Sequence, residues 1–210
     1  MFYEPHKRDK SLLPHDPFKA IVAPRPIGWI STRSPEGLIN LAPYSFFNAI
    51  STRPSLVMFS SEGPKDTATA AEASGEFVFN LVTFDLRHHM NATSAPLARG
   101  VSEFEHAGLT EAPSNLVKAP RVLESPAALE CKVVEVYRPR SLASDDAGVI
   151  MVIGEVVGVH INEAFIKDGR FDLVAAGTLM RAGYADYVRA ESTLSIIRPE
   201  GGGGTDGASA

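Results

Sequence analysis

Pro24-Arg25-Pro26-Ile27-Gly28-Trp29-Ile30-Ser31-Thr32 and, a few residues on, Leu38-Ile39-Asn40-Leu41-Ala42 form the stretch on which the fold turns. Residues 27–32 are rich in β-branched side chains, Ser34-Pro35-Glu36-Gly37 has turn chemistry, and residues 38–42 resume an extended pattern. The arrangement predicts a β-hairpin. Residues 46–51 and 56–60 read as two further strands, separated by Thr52-Arg53-Pro54, where proline favours a bend.

Downstream, residues 67–74 are alanine-rich and helical in character, with Asp66 or Thr67 as the natural N-cap and Gly75 as the stop. Residues 76–82 return to strand, and residues 84–93 read as a helix with Leu86 and Met90 four apart. Residues 94–120 are mostly loop. The two longest β signals are 127–137 and 149–161, which could pair antiparallel, and residues 149–153 look buried on both faces. Asp168-Gly169-Arg170 predicts a turn, 173–181 a helix, and 193–197 a strand closing the sheet. Short strands dominate and no β-α-β alternation runs through the chain. The expected fold is therefore mainly β, an antiparallel barrel with a few peripheral helices.

The 210 residues suffice for one core, read as a single domain over 1–198 followed by a Gly-rich disordered tail over 199–210. With 44% hydrophobic and 21% charged residues the chain falls in the ordinary globular range. Twenty basic against twenty-five acidic side chains, with the basic ones scattered, argue against a nucleic-acid partner. The polar start and the lack of a long apolar run argue against a membrane segment or signal peptide. Cys131 stands alone, which fits a reducing cytoplasm, and reads as a small buried strand residue rather than a nucleophile. No Gly-x-Ser-x-Gly elbow, Walker loop or Rossmann fingerprint is present outside the glycine tail.

Ser60, Ser61, Lys65 and Thr67 gather hydroxyls and a cation just before a predicted helix start, where a phosphate can be held. The alternative is a solvated loop in which Thr67 merely caps the helix. Trp29, Tyr44, Phe46 and Phe47 could form a flat slot for a heteroaromatic ring, with Thr32, Asn40, Ser45 and Asn48 at its polar edge. Because strand neighbours face opposite ways, at least one of Phe46 and Phe47 belongs to the core. Adjacent His88 and His89 point in different directions on a helix and do not make a zinc site. His106 and His160 are candidates for contacting a second substrate.

The hairpin motif, then Asn40-Leu41-Ala42-Pro43-Tyr44-Ser45-Phe46-Phe47-Asn48, Lys65-Asp66-Thr67 and Gly75-Glu76-Phe77-Val78-Phe79-Asn80, together resemble the flavin reductase-like family of FMN-binding split barrels. Ser102-Glu103-Phe104, Pro120-Arg121-Val122, Leu129-Glu130-Cys131 and Gly154-Glu155-Val156 extend the likeness over roughly residues 18 to 187. The resemblance implies a homodimeric split β-barrel holding FMN near the subunit interface. It also implies hydride transfer from NAD(P)H to flavin, with a monooxygenase or other electron acceptor as partner. The alternative it leaves open is an FMN-binding electron-transfer or binding protein that does not oxidise NAD(P)H. Such chemistry needs no protein nucleophile. The expected cofactor contacts are Trp29, Ser31, Thr32, Asn40, Ala42, Ser45, Phe46, Phe47, Asn48, Ser60, Ser61, Lys65, Asp66, Thr67, Arg181 and Tyr184. Thr32 and residues 40–48 would meet the ring, and Ser60, Ser61, Lys65 and Thr67 the phosphate.

Overall fold

A computed structural model describes residues 1–98, 100–197 and Pro199. The remainder of the expected Gly-rich tail lies outside the described residues. The hairpin forms as expected, β1 (Gly28–Arg33) pairing with β2 (Ile39–Tyr44), and Gly37 takes the positive φ of 89° that its turn demands. Next come β3 (Phe47–Thr52), β4 (Ser55–Glu62), α1 (Asp66–Ser74), β5 (Glu76–Leu81), α2 (Arg87–Ala92) and α3 (Glu103–Ala107). The long strands β6 (Ala127–Tyr137) and β7 (Val149–Ile161) follow, then the short β8 (Leu179–Arg181) and β9 (Tyr187–Arg189).

Seven strands form one antiparallel sheet in the order β2-β1-β5-β6-β7-β4-β3. The sheet curls into a half-barrel, bringing the edge strand β2 up to β4, where the rings of Tyr44 and Phe59 meet at 5.0 Å. Alternation along β1 sorts its side chains. Ile30 joins the barrel interior with Phe47, Phe59, Phe77, Cys131 and Val152, whereas Trp29 joins an outer cluster with Leu41, Met90 and Phe104. Two glycines make room for the interior rings. A Cβ on Gly28 would lie 2.6 Å from the Phe47 ring, and one on Gly154 2.5 Å from the Phe77 ring. Phe47 in turn stacks on Phe79 at 4.6 Å.

Several expectations give way. Lys65, not Asp66 or Thr67, occupies the N-cap of α1, and no side chain caps it. The helix expected over 84–93 is confined to α2. No helix covers 173–181: the Asp172 carboxylate accepts from Val174 and Ala175 N–H, making one turn, and Gly177 at φ 64° then releases the chain into β8. Residues 193–197 form no strand and expose Leu194, Ile196 and Ile197. Residues 149–153 alternate between buried and half-buried rather than being buried on both faces. Among the described residues no helix is long and apolar enough to cross a membrane.

Candidate functional site

At the β2–β3 corner the sheet turns away from α1, leaving a cleft of about 640 Å³ between residues 42–46, the end of β4, the start of α1 and residues 93–97. Asn40, Ala42, Ser45, Phe46, Ser60, Lys65, Asp66 and Thr67 all line it. The first amides of α1, those of Asp66, Thr67 and Ala68, lack the intrahelical carbonyl that Thr69 N–H finds on Lys65, at 3.0 Å, and no side chain caps them. The side chains of Ser45, Ser60 and Lys65 hydrogen-bond to no other described residue, although Asp66 and Glu62 bring negative charge to the rim. Unspent amides, two hydroxyls and an ammonium at a helix start are a donor set for an anion.

The opposite wall is fixed by Glu103, a residue whose segment reads from sequence as exposed loop. It lies on α3, where Ser102 caps the helix by accepting from Glu105 N–H. Its carboxylate accepts from Asn40 Nδ2 at 3.0 Å and from Leu41 N–H at 3.2 Å, while Thr67 Oγ1 donates to Asn40 Oδ1. Both ends of the Asn40 amide are thereby held, and α1 is tied to β2. Burial, partly offset by these donors and reinforced by the Asp66 charge, raises the Glu103 carboxyl above its ordinary value. Burial likewise raises the Tyr44 phenol.

Other expected contacts do not reach the cleft. Trp29 is fully buried in the outer cluster and its Nε1–H donates to Thr93 Oγ1 at 2.9 Å, so it positions the cleft wall without lining it. Ser31 is fully buried and donates to Pro120 O. Thr32 is fully buried opposite Asn40, with Oγ1 unpaired, and Ser61 is buried beneath the cleft floor and donates to Gly63 O at 2.9 Å. Phe47 is core, whereas its neighbour Phe46 faces the cleft. Asn48 is exposed on β3 and accepts from Ala49 N–H.

Arg181 and Tyr184 line a second cleft of about 360 Å³ that shares Lys19, Pro43, Ser45 and Ser94 with the first. Its back is Arg25, buried, donating to Ser45 O at 3.2 Å, Ala182 O at 3.1 Å, Lys19 O and Val22 O. The strand alternation places such a residue; only its charge between two prolines marks it in the sequence.

His160 is committed elsewhere. Its Nε2 meets the fully buried Glu130 carboxylate, which also accepts from the amides of Asn115 at 2.7 Å, Leu116 at 2.6 Å and Val117 at 3.1 Å. Nearby, the buried Glu76 accepts from Lys118 N–H and from Lys132 Nζ, the latter at 2.7 Å. Burial opposes the Glu130 charge, but those amides and the imidazole outweigh it and hold the carboxyl below its ordinary value. Burial pushes the Cys131 thiol up to about 12, with the Glu130 charge adding to it, which leaves it a core residue at neutral pH.

Residues 22–175 match the family described as the flavin reductase like domain. An uncharacterized protein of Halalkalibacterium halodurans is 37% identical over 183 residues, covering 85% of this chain and 87% of that one. Among solved structures, nitrilotriacetate monooxygenase component B from Bacillus cereus superposes with a TM-score of 0.84 at 26% identity, over 93% of this chain and 98% of the other. The 2-nitrobenzoate 2-nitroreductase of Pseudomonas fluorescens superposes with a TM-score of 0.75 at 27% identity, over 90% and 91% of the two chains.

Proposed function

Because the chain belongs to the flavin reductase-like family, we propose that it is an FMN-dependent oxidoreductase that takes hydride from NAD(P)H and delivers electrons to a flavin or a partner monooxygenase. The observation that carries this reading is the donor set left open at the start of α1: the Lys65 ammonium, the Ser60 hydroxyl and the unspent amides of residues 66–68. It suits a phosphate dianion, which needs convergent N–H groups and a cation.

The remaining walls suit a flat ring. Ala42, Pro43 and the half-buried Phe46 offer apolar surface, and Asn40, immobilised by Glu103 and Thr67, offers its amide to a polar edge. When bound, FMN supplies the hydride-accepting ring. The chain's own residues bind and orient: Lys65 and the helix start fix one end, and Asn40 and Phe46 set the register of the other. Trp29, through Thr93, holds the facing segment in place. Arg181 and Tyr184 fall outside this set because they line the adjoining cleft.

The relative that is a monooxygenase component supports a monooxygenase as electron acceptor. The reading carries with it one cofactor domain over 1–198 in a cytoplasmic protein. A homodimer is supported by apolar residues left exposed on β6 and β7, among them Val134 at 52% and Val159 at 60%; gel filtration at twice the chain mass is the expected result. A visible spectrum of the purified protein, before and after NADH and NADPH, tests the activity. Flavin absorbance that bleaches with one of them is expected, and persistent yellow colour in excess of both would leave an electron carrier instead.

A further inference from the structure

Arg25 and Arg181 sit directly opposite one another where the dipeptide Arg25–Pro26 pairs with β8. Like charges across a strand pair repel, and among the described residues no Asp or Glu lines the cleft they share. Burial and the Arg181 charge both lower the affinity of Arg25 for its proton. The donors of Arg25 are spent on four backbone carbonyls, so it contributes field rather than contacts. Arg181 is placed differently: half-buried, it gives Nη2 to Tyr184 O at 2.5 Å and lays its guanidinium over the Tyr187 ring at 4.5 Å, and its remaining donors meet no other described residue. Lys19 adds a third cation, partnered among the described residues by the face of Phe46 alone, at 5.6 Å.

Tyr184 holds φ at 54°, a left-handed conformation that a bulky residue rarely adopts, and the residue is 52% exposed. Thus three cations without a carboxylate, in a chain of net charge −5, surround a cavity walled by two tyrosines. We propose that this second cleft binds the anionic group of the second substrate, a carboxylate or phosphate carried beside a planar ring. Arg181 and Lys19 make the contacts, Arg25 deepens the positive field, and Tyr184 and Tyr187 flank the ring. The proposal rests on the FMN reading of the first cleft, into which this one opens through Ser45 and Ser94.

The test compares wild type with Arg181→Gln and Lys19→Gln. Calorimetry gives dissociation constants for benzoate and for inorganic pyrophosphate on FMN-loaded and FMN-free protein; flavin fluorescence gives the constant for FMN. Arg181→Gln should weaken one of the two anions by about ten-fold or more, the worth of one hydrogen bond to a charged group. Lys19→Gln should weaken the same anion, and FMN affinity in Arg181→Gln should stay within about two-fold. Benzoate as the affected probe identifies a carboxylate-bearing acceptor, and pyrophosphate identifies the phosphates of a nicotinamide nucleotide. Should wild type fail to bind FMN, the first-cleft reading falls while anion binding to the FMN-free protein still decides this one. Unchanged anion affinity in both variants, no binding of either probe to wild type, or loss of FMN from Arg181→Gln would overturn the proposal. If Arg181→Gln does not fold, Lys19→Gln decides it alone by the same readout.

Discussion

Two regions of this molecule are built from the same parts, a charged side chain set among backbone amides, and they are finished in opposite ways. Around Glu130 every part is spent: three successive amides of residues 115–117 and the His160 ring converge on one carboxylate, and Glu76 catches the next amide, that of Lys118. Around Lys65 the parts are left over, with helix-start amides uncapped and the Ser60 hydroxyl without a partner among the described residues. Buried polar groups are normally satisfied within the chain. A closed network therefore reads as a fastening for the 113–120 loop, and an open one as a place kept for a ligand.

Mutations should separate the two regions. Glu130→Ala leaves several buried donors without an acceptor and should cost about 3 kcal/mol or more in urea unfolding, while FMN affinity in the folded fraction changes by no more than about two-fold. Lys65→Ala should do the reverse, weakening FMN by about ten- to a hundred-fold, as expected for one hydrogen bond to a charged group, with unfolding free energy within about 0.5 kcal/mol of wild type. Thr67 belongs to both accounts because its hydroxyl ties α1 to Asn40. Thr67→Ala should therefore lose about 1 kcal/mol of stability and also weaken FMN, measured by the same two assays.

The smallest effect is one of sign. Glu130 has its folded value lowered, so it contributes stability above the ordinary carboxylate value, and that contribution is lost as pH falls below it. Glu103 has its folded value raised, chiefly by burial, so its contribution is present at low pH and is lost as pH rises through the raised value. Urea midpoints followed from pH 6 down to pH 3 should show a shallower acid loss in Glu130→Gln than in wild type. Glu103→Gln should leave that loss in place. Equal acid limbs in Glu130→Gln and wild type would dissolve the distinction between the two regions.

The sequence carried the β1–β2 hairpin because Ser34-Pro35-Glu36-Gly37 has unambiguous turn chemistry. It carried β6 and β7 because their apolar runs are long, and the two pair antiparallel as expected. Residues 173–181 misled because Ala175 and Ala176 suit a helix, whereas one aspartate cap and one glycine limit the turn. The lining of the candidate cleft was legible where it follows the chain, at Asn40, residues 42–46, Ser60 and residues 65–67. It was illegible for β1, since both faces of that strand are buried and alternation alone does not say which face a ligand meets. Glu103 and residues 93–97 reach the cleft only through tertiary packing, from segments that read as loop or as the end of a helix.

The central claim is that the open donors at the start of α1 hold a phosphate, and riboflavin, which is FMN without its phosphate, tests it most directly. Dissociation constants for both flavins are measured by fluorescence quenching on wild type and on Lys65→Ala. FMN should bind wild type at least about ten-fold more tightly than riboflavin, and the gap should largely close in Lys65→Ala. Equal affinity of wild type for the two flavins would contradict the claim.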